Sequence, residues 1–181
     1  MSRNLFLSSI RGFLVICLGV FLSLIPAACQ KGKGGDGAAG VRMNGEAPDF
    51  VLKGISGKDL KLSDLRGHVV FIEFFATWCP PCRETVPELI NLQKKYGNRL
   101  IVLGIALDDD PDAAETVRKF TETNGLNYAV LLGTEKVSSE YNVIGIPRSV
   151  LIDKKGIIVQ SYMGYVDNLS DLVSKKVDAI I

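Results

Sequence analysis

Cysteine is scarce and histidine almost absent: the 181 residues contain four Cys and one His. Two of the four, Cys17 and Cys29, fall in or at the end of an apolar N-terminal segment, so the rest of the chain carries only Cys79 and Cys82. That excludes a disulfide-stapled scaffold, which spaces several pairs along the chain. It also argues against zinc, because a zinc site wants about four ligands and His68 is the sole imidazole. An excess of charge of either sign is lacking too. With 21 Lys and Arg against 20 Asp and Glu, the formal net charge is +1, which leaves no electrostatic case for nucleic acid or for an acidic partner. No internal repeat is present, and the one compositionally biased stretch is a short Gly-rich run.

Charged residues are missing altogether from Gly12 to Cys29, a run preceded by Arg3 and Arg11 and ending in Ala27-Ala28 before Cys29. Positive charge, an apolar core and small residues at the end are the marks of an export segment. Residues 30–40, rich in Gly, cannot bury apolar surface and read as a flexible tether. The expected organisation is an export signal or membrane anchor over 1–29, a tether over 30–44 and one domain over 45–181. Three fates stay open for the first segment. It is a cleaved signal, an uncleaved anchor at the lower length limit for a spanning helix, or a lipoprotein signal. The last resembles the bacterial lipobox, with Cys29 as the lipidated residue and Pro26 where Leu is usual. All three place the domain outside the cytoplasm, tethered to a membrane in two of them.

Within the domain, Ala47–Leu52 and Leu60–Leu62 read as two short strands, and Ser63–Gly67 as a polar turn. Val69–Phe75 is an apolar run of buried-strand length interrupted only by Glu73. Helical spacing follows from Pro80 to Tyr96, with Val86, Leu89, Ile90 and Gln93 on one side and Gly97 as C-cap. Leu100–Leu107 predicts a second buried strand, and Asp108–Pro111 the start of a helix that ends near Asn124-Gly125. A strand over Tyr128–Leu132, a helix over Glu135–Tyr141, strands over Ser149–Asp153 and Ile157–Tyr162, and a helix over Asn168–Ala179 complete the pattern. Strand–helix–strand units imply parallel pairing, and the turn at Lys154–Gly156 implies an antiparallel hairpin. The expected fold is therefore α/β and thioredoxin-like: a mixed central β-sheet flanked by helices, with an N-terminal β-hairpin extension.

Trp78-Cys79-Pro80-Pro81-Cys82 sits where the Val69–Phe75 strand gives way to a helix. A helix N-terminus carries unpaired N–H groups and partial positive charge, which stabilise a thiolate on Cys79. Two intervening residues bring Cys82 within reach of a mixed disulfide on Cys79. Pro80 and Pro81 fit the first turn, where N–H groups lack helical partners anyway. A purely structural disulfide closing so short a loop would gain little stability. Glu73, six residues before Cys79, is either a buried acid–base group with a raised pKa or a strand residue facing solvent at a sheet edge.

Phe74-Phe75-Ala76-Thr77-Trp78-Cys79-Pro80-Pro81-Cys82 resembles the active-site signature of TlpA/ResA-type thioredoxin-like proteins, exported bacterial thiol–disulfide oxidoreductases. The likeness extends from Ala47 to the C-terminus and includes Ala47-Pro48-Asp49-Phe50, Leu65-Arg66-Gly67, Pro87 and Gly145-Ile146-Pro147. It implies that Pro147 is a cis-proline facing the disulfide, and that Trp78, Pro80, Pro81, Ile146 and Pro147 line a substrate groove. It places Glu73 where thioredoxins carry a buried Asp. Thr85 stands where ResA-like proteins often have Glu, and Arg148 where Thr is common.

The expected activity is dithiol–disulfide exchange with exported proteins, with Cys79 attacking, Cys82 resolving and Glu73 moving the proton. The family leans towards reduction, which calls for a thiol donor of electrons at the membrane. No organic cofactor or metal is implied. A peroxiredoxin-like thiol peroxidase is a rival, although Thr77 stands only two positions before Cys79. A copper-handling or other non-catalytic binding module is a second, weakened by the lack of any His after His68.

Overall fold

The computed structural model describes residues 42–181; the expected export segment, Cys29 and the expected tether up to residue 41 lie outside the described residues. Two short strands, β1 (Val51–Lys53) and β2 (Asp59–Lys61), pair antiparallel as a separate hairpin. A 3₁₀ turn at Leu62–Leu65 leads into β3 (Val69–Phe75). Then follow α1 (Pro80–Tyr96), β4 (Leu100–Ala106), α2 (Ala113–Thr123), β5 (Ala129–Leu132), α3 (Glu135–Glu140), β6 (Arg148–Ile152), β7 (Ile158–Met163) and α4 (Leu169–Asp178). The five-stranded sheet has the order β5-β4-β3-β6-β7.

Connection length decides the strand directions. Helix α1 carries the chain from β3 to β4 and α2 carries it on to β5, so these three strands run parallel. Between β6 and β7 there is room only for a tight turn, in which Asp153 Oδ1 accepts the N–H groups of Lys155 and Ile157, and the pair is antiparallel. Strand β3 therefore lies in the middle, with every one of its residues buried. The alternation of β3 divides the interior. Phe71 packs against Leu89, Leu92 and Tyr96 of α1 and against Leu169, Val173 and Val177 of α4. Phe75, on the same face, meets Val117 and Phe120 of α2 and the two cysteines. Ile72 and Phe74 face the opposite way, against Val137, Tyr141, the hairpin residue Leu52 and Phe50 just before the hairpin.

Most predicted boundaries hold within a residue or two, and two differences are instructive. Helix α2 begins at Ala113, later than the acidic run at Asp108–Pro111 suggested. Asp108 is drawn away from helix capping because its carboxylate accepts both the N–H of Thr77, at 3.0 and 3.2 Å, and the Thr77 hydroxyl. The inner face of α1 also differs in detail. It buries Cys82, Thr85, Val86, Leu89, Leu92 and Tyr96, whereas Ile90 and Gln93 are only half-buried. Among the described residues no helix is long and apolar enough to cross a membrane.

Candidate functional site

The β3–α1 junction is set by the residues that cannot continue either element. Cys79 adopts an extended conformation (φ −83°, ψ 110°) as the N-cap of α1, and Pro80 and Pro81 occupy the first turn. The Cys79 sulfur accepts the N–H of Cys82 at 3.3 Å, one of the donors that a helix N-terminus leaves unpaired. The two cysteines form a disulfide with a Cα–Cα distance of 5.3 Å. Both are buried, Cys79 included, although it stands at the helix tip, while the neighbouring Trp78 is 65% exposed. The loop before them is held by Asp108 through Thr77 and by Arg83, whose Nε donates to the Thr77 carbonyl at 2.9 Å.

The Ile146–Pro147 peptide bond is cis. Ile146 packs against the apolar cluster that contains Cys79 and Cys82, and Pro147 accepts the N–H of Gly164 at 2.8 Å just before β6 begins. The structure thus brings the Cys79–Cys82 disulfide and Ile146, the residue before Pro147, into one neighbourhood, with Trp78 and Pro80 exposed beside the thiols. Arg148, the next residue, is buried without a carboxylate partner among the described residues. One guanidinium nitrogen donates to the Tyr162 carbonyl at 3.2 Å, and Nε has no partner. Burial holds its pKa below the usual arginine value.

Glu73 lies on the central strand and is 2% exposed, so the solvent-facing edge position does not apply to it. Its side chain points to the α1 side of the sheet. One carboxyl oxygen accepts the Thr85 hydroxyl at 2.6 Å, and the other accepts the Ser149 hydroxyl at 3.2 Å across the β3–β6 pair. Burial pushes its pKa from 4.5 up to about 7, against the pull of those two hydrogen bonds and with a smaller push from Glu88. The phenol of Tyr128 is raised above its ordinary value, chiefly by burial and secondarily by the Glu73 charge. Thr85 closes the link to the thiols: its hydroxyl also lies 2.8 Å from the Cys82 carbonyl oxygen.

Thr85, Ser149 and Asp108 were not among the residues that the sequence singled out for chemistry. Thr85 left a trace, since a hydroxyl three positions after Cys82 shares its helix face within an otherwise apolar stripe. Ser149 and Asp108 left none, because each meets its partner only through strand pairing or loop packing. Among the described residues no group of three His, Cys, Asp or Glu side chains converges to hold a metal ion.

Residues 43–161 match the AhpC/TSA family. The chain belongs to that family. It is similar to the thioredoxin-like protein YneN of Bacillus subtilis, with 34% identity over 125 residues that cover 69% of this chain and 74% of the relative. The thiol–disulfide oxidoreductase ResA of Bacillus anthracis is 39% identical over 121 residues, covering 66% of this chain and 68% of that one. Among solved structures, a thiol:disulfide interchange protein of the thioredoxin family from Chlorobium tepidum superposes with a TM-score of 0.66 at 27% identity. The superposition covers 75% of this chain and 98% of that one. The fold is thioredoxin-like, the resemblance to ResA-type proteins holds, and the chain is a thiol–disulfide oxidoreductase.

Proposed function

We propose that this family member reduces disulfides of exported proteins through Cys79 and Cys82, on the outer side of a membrane to which residues 1–40 tether it. The observation that carries the reading is the Cys79 sulfur at the N-cap of α1, accepting a helix N–H and joined to Cys82 within one turn. In the dithiol form, the Cys79 thiolate attacks a substrate disulfide, and one substrate sulfur leaves as a thiolate that takes a proton from water. Cys82 then gives up its proton and attacks the Cys79 sulfur. The Cys79–Cys82 bond forms, and the second substrate sulfur leaves with the electron pair of the mixed disulfide. Glu73, buried and linked through the Thr85 hydroxyl to the Cys82 carbonyl, takes the Cys82 proton. Two electrons from a thiol donor at the membrane then restore the dithiol.

The raised pKa of Glu73, about 7, suits a group that must both accept and return a proton near neutrality. A peroxidase reading would need a free Thr beside the attacking sulfur, and the Thr77 hydroxyl is committed to Asp108. Stopped-flow exchange with a disulfide peptide tests the reading, with formation and collapse of the mixed disulfide resolved. Glu73→Gln is expected to slow collapse with little effect on formation, and equal collapse rates across about pH 6–9 would remove Glu73 from the reaction. The tether is tested by fractionation and mass spectrometry of the mature N-terminus. A soluble product beginning unmodified near Cys29 would overturn it.

A further inference from the structure

The hydroxyl of Thr85 faces two acceptors with one hydrogen. The Glu73 carboxyl lies at 2.6 Å and the Cys82 carbonyl oxygen at 2.8 Å. A single O–H cannot be well aligned to both, and a carbonyl oxygen brings no hydrogen of its own. When Glu73 is protonated, its O–H can donate to the Thr85 oxygen while Thr85 donates to the Cys82 carbonyl, so both contacts contain a hydrogen. When Glu73 is ionised, the hydroxyl must turn to the carboxylate, and the Cys82 carbonyl loses that donor. On the Thr85 side the two arrangements differ only by rotation about the Cβ–Oγ1 bond, and both contacts are buried.

We infer that Thr85 is a positioning residue that reads the protonation state of Glu73 and passes it to the first turn of α1, which carries the thiols. The inference rests on the proposed role of Glu73 as the proton acceptor. The groups facing Glu73 are Thr85 and Glu88 from α1, Ser149 from β6, and the Tyr128 phenol from the segment before β5. Of these, Thr85 makes the shortest contact and is the only one that also reaches a cysteine. Ser149 supplies a second donor to the carboxyl but touches no atom of the disulfide turn in the hydrogen-bond network. Resolution of a mixed disulfide transfers the Cys82 proton to Glu73, so it ends in the arrangement with Thr85 donating to Cys82. Reduction reverses it. The hydroxyl thereby lowers the cost of ionising Glu73 when the thiol of Cys82 needs its proton, and returns to the helix turn when the disulfide is closed.

The experiment follows the Glu73 carboxyl by ¹³C-carboxyl NMR of labelled, oxidised full-length protein, in wild type, Thr85→Val and Thr85→Ser. A hydrogen bond to a charged group is lost in the valine variant. Glu73 is expected to hold its proton about ten- to a hundredfold more tightly, with the midpoint moved to alkaline pH. The pH profile of mixed-disulfide collapse should move in the same direction. Thr85→Ser, which keeps the hydroxyl and loses only the methyl, should restore both. Thr85→Ala gives the same readout should the valine variant not fold. A valine or alanine titration that coincides with wild type, or a serine variant that fails to restore it, overturns the assignment. Because the titration is read with no reaction running, a displaced midpoint alongside unchanged collapse rates supports the Thr85 assignment and rejects the proton-acceptor role of Glu73.

Discussion

Replacing Glu73 by Gln changes the stability of the oxidised protein in a pH-dependent way whose sign and size follow from burial. In the folded protein Glu73 titrates at about 7, against an ordinary value of 4.5. Below the lower value both folded and unfolded chains hold the proton, and the carboxyl contributes its full stabilisation. As pH rises, the unfolded chain ionises first and the folded one later, so that contribution is lost progressively until pH passes the folded value. The displacement corresponds to about 3 kcal/mol, an amount that a residue 2% exposed can express without solvent screening. Glutamine keeps the shape and cannot ionise. The stability of Glu73→Gln relative to wild type should therefore rise by about 3 kcal/mol between about pH 4 and pH 8, on top of a constant offset from the new amide. Urea denaturation of both proteins at matched pH, with the disulfide intact, reads the difference, and all other titrating groups cancel. A difference constant to within about 0.5 kcal/mol over that range would refute the reasoning, because it would mean that Glu73 ionises equally easily in both states.

Two further outcomes follow from the same site. In the reduced protein Cys79 should alkylate before Cys82 and titrate below the ~8.5 of a free thiol, since its sulfur caps α1; mapping of the labelled cysteine against pH checks this, and modification of Cys82 first would reverse the assignment of nucleophile. Arg148→Met should leave stability unchanged or raise it by about 1–3 kcal/mol, because a buried guanidinium with an unpartnered Nε is replaced by an apolar side chain. Chemical denaturation measures it, and a loss above about 1 kcal/mol would show that the guanidinium makes a compensating bond.

What the sequence alone determined was local. The Pro80-Pro81 start of α1, its Gly97 end, the β3 run that is apolar but for Glu73 and the tight β6–β7 turn each depend on residues within a few positions of one another. So does the pairing of Cys79 with Cys82, three residues apart. The fold class followed because short connections allow only antiparallel neighbours and helical ones favour parallel neighbours. What the tertiary structure decided was which of these elements face each other. Glu73 could be read as buried or as facing solvent until β3 was seen between β4 and β6. Its partner Ser149 lies 76 positions away, and no periodicity in either segment sets that register. Asp108 carried a helix-start signal that was overridden by Thr77, 31 residues earlier in the chain. Thr85 drew notice in the sequence only as a departure from a family pattern, and became informative once its single hydrogen was seen between two acceptors. Backbone patterns repeat every two or 3.6 residues and are visible in a short window, whereas a side-chain hydrogen bond between distant segments exists only after strand order and helix packing have brought its two atoms within about 3 Å.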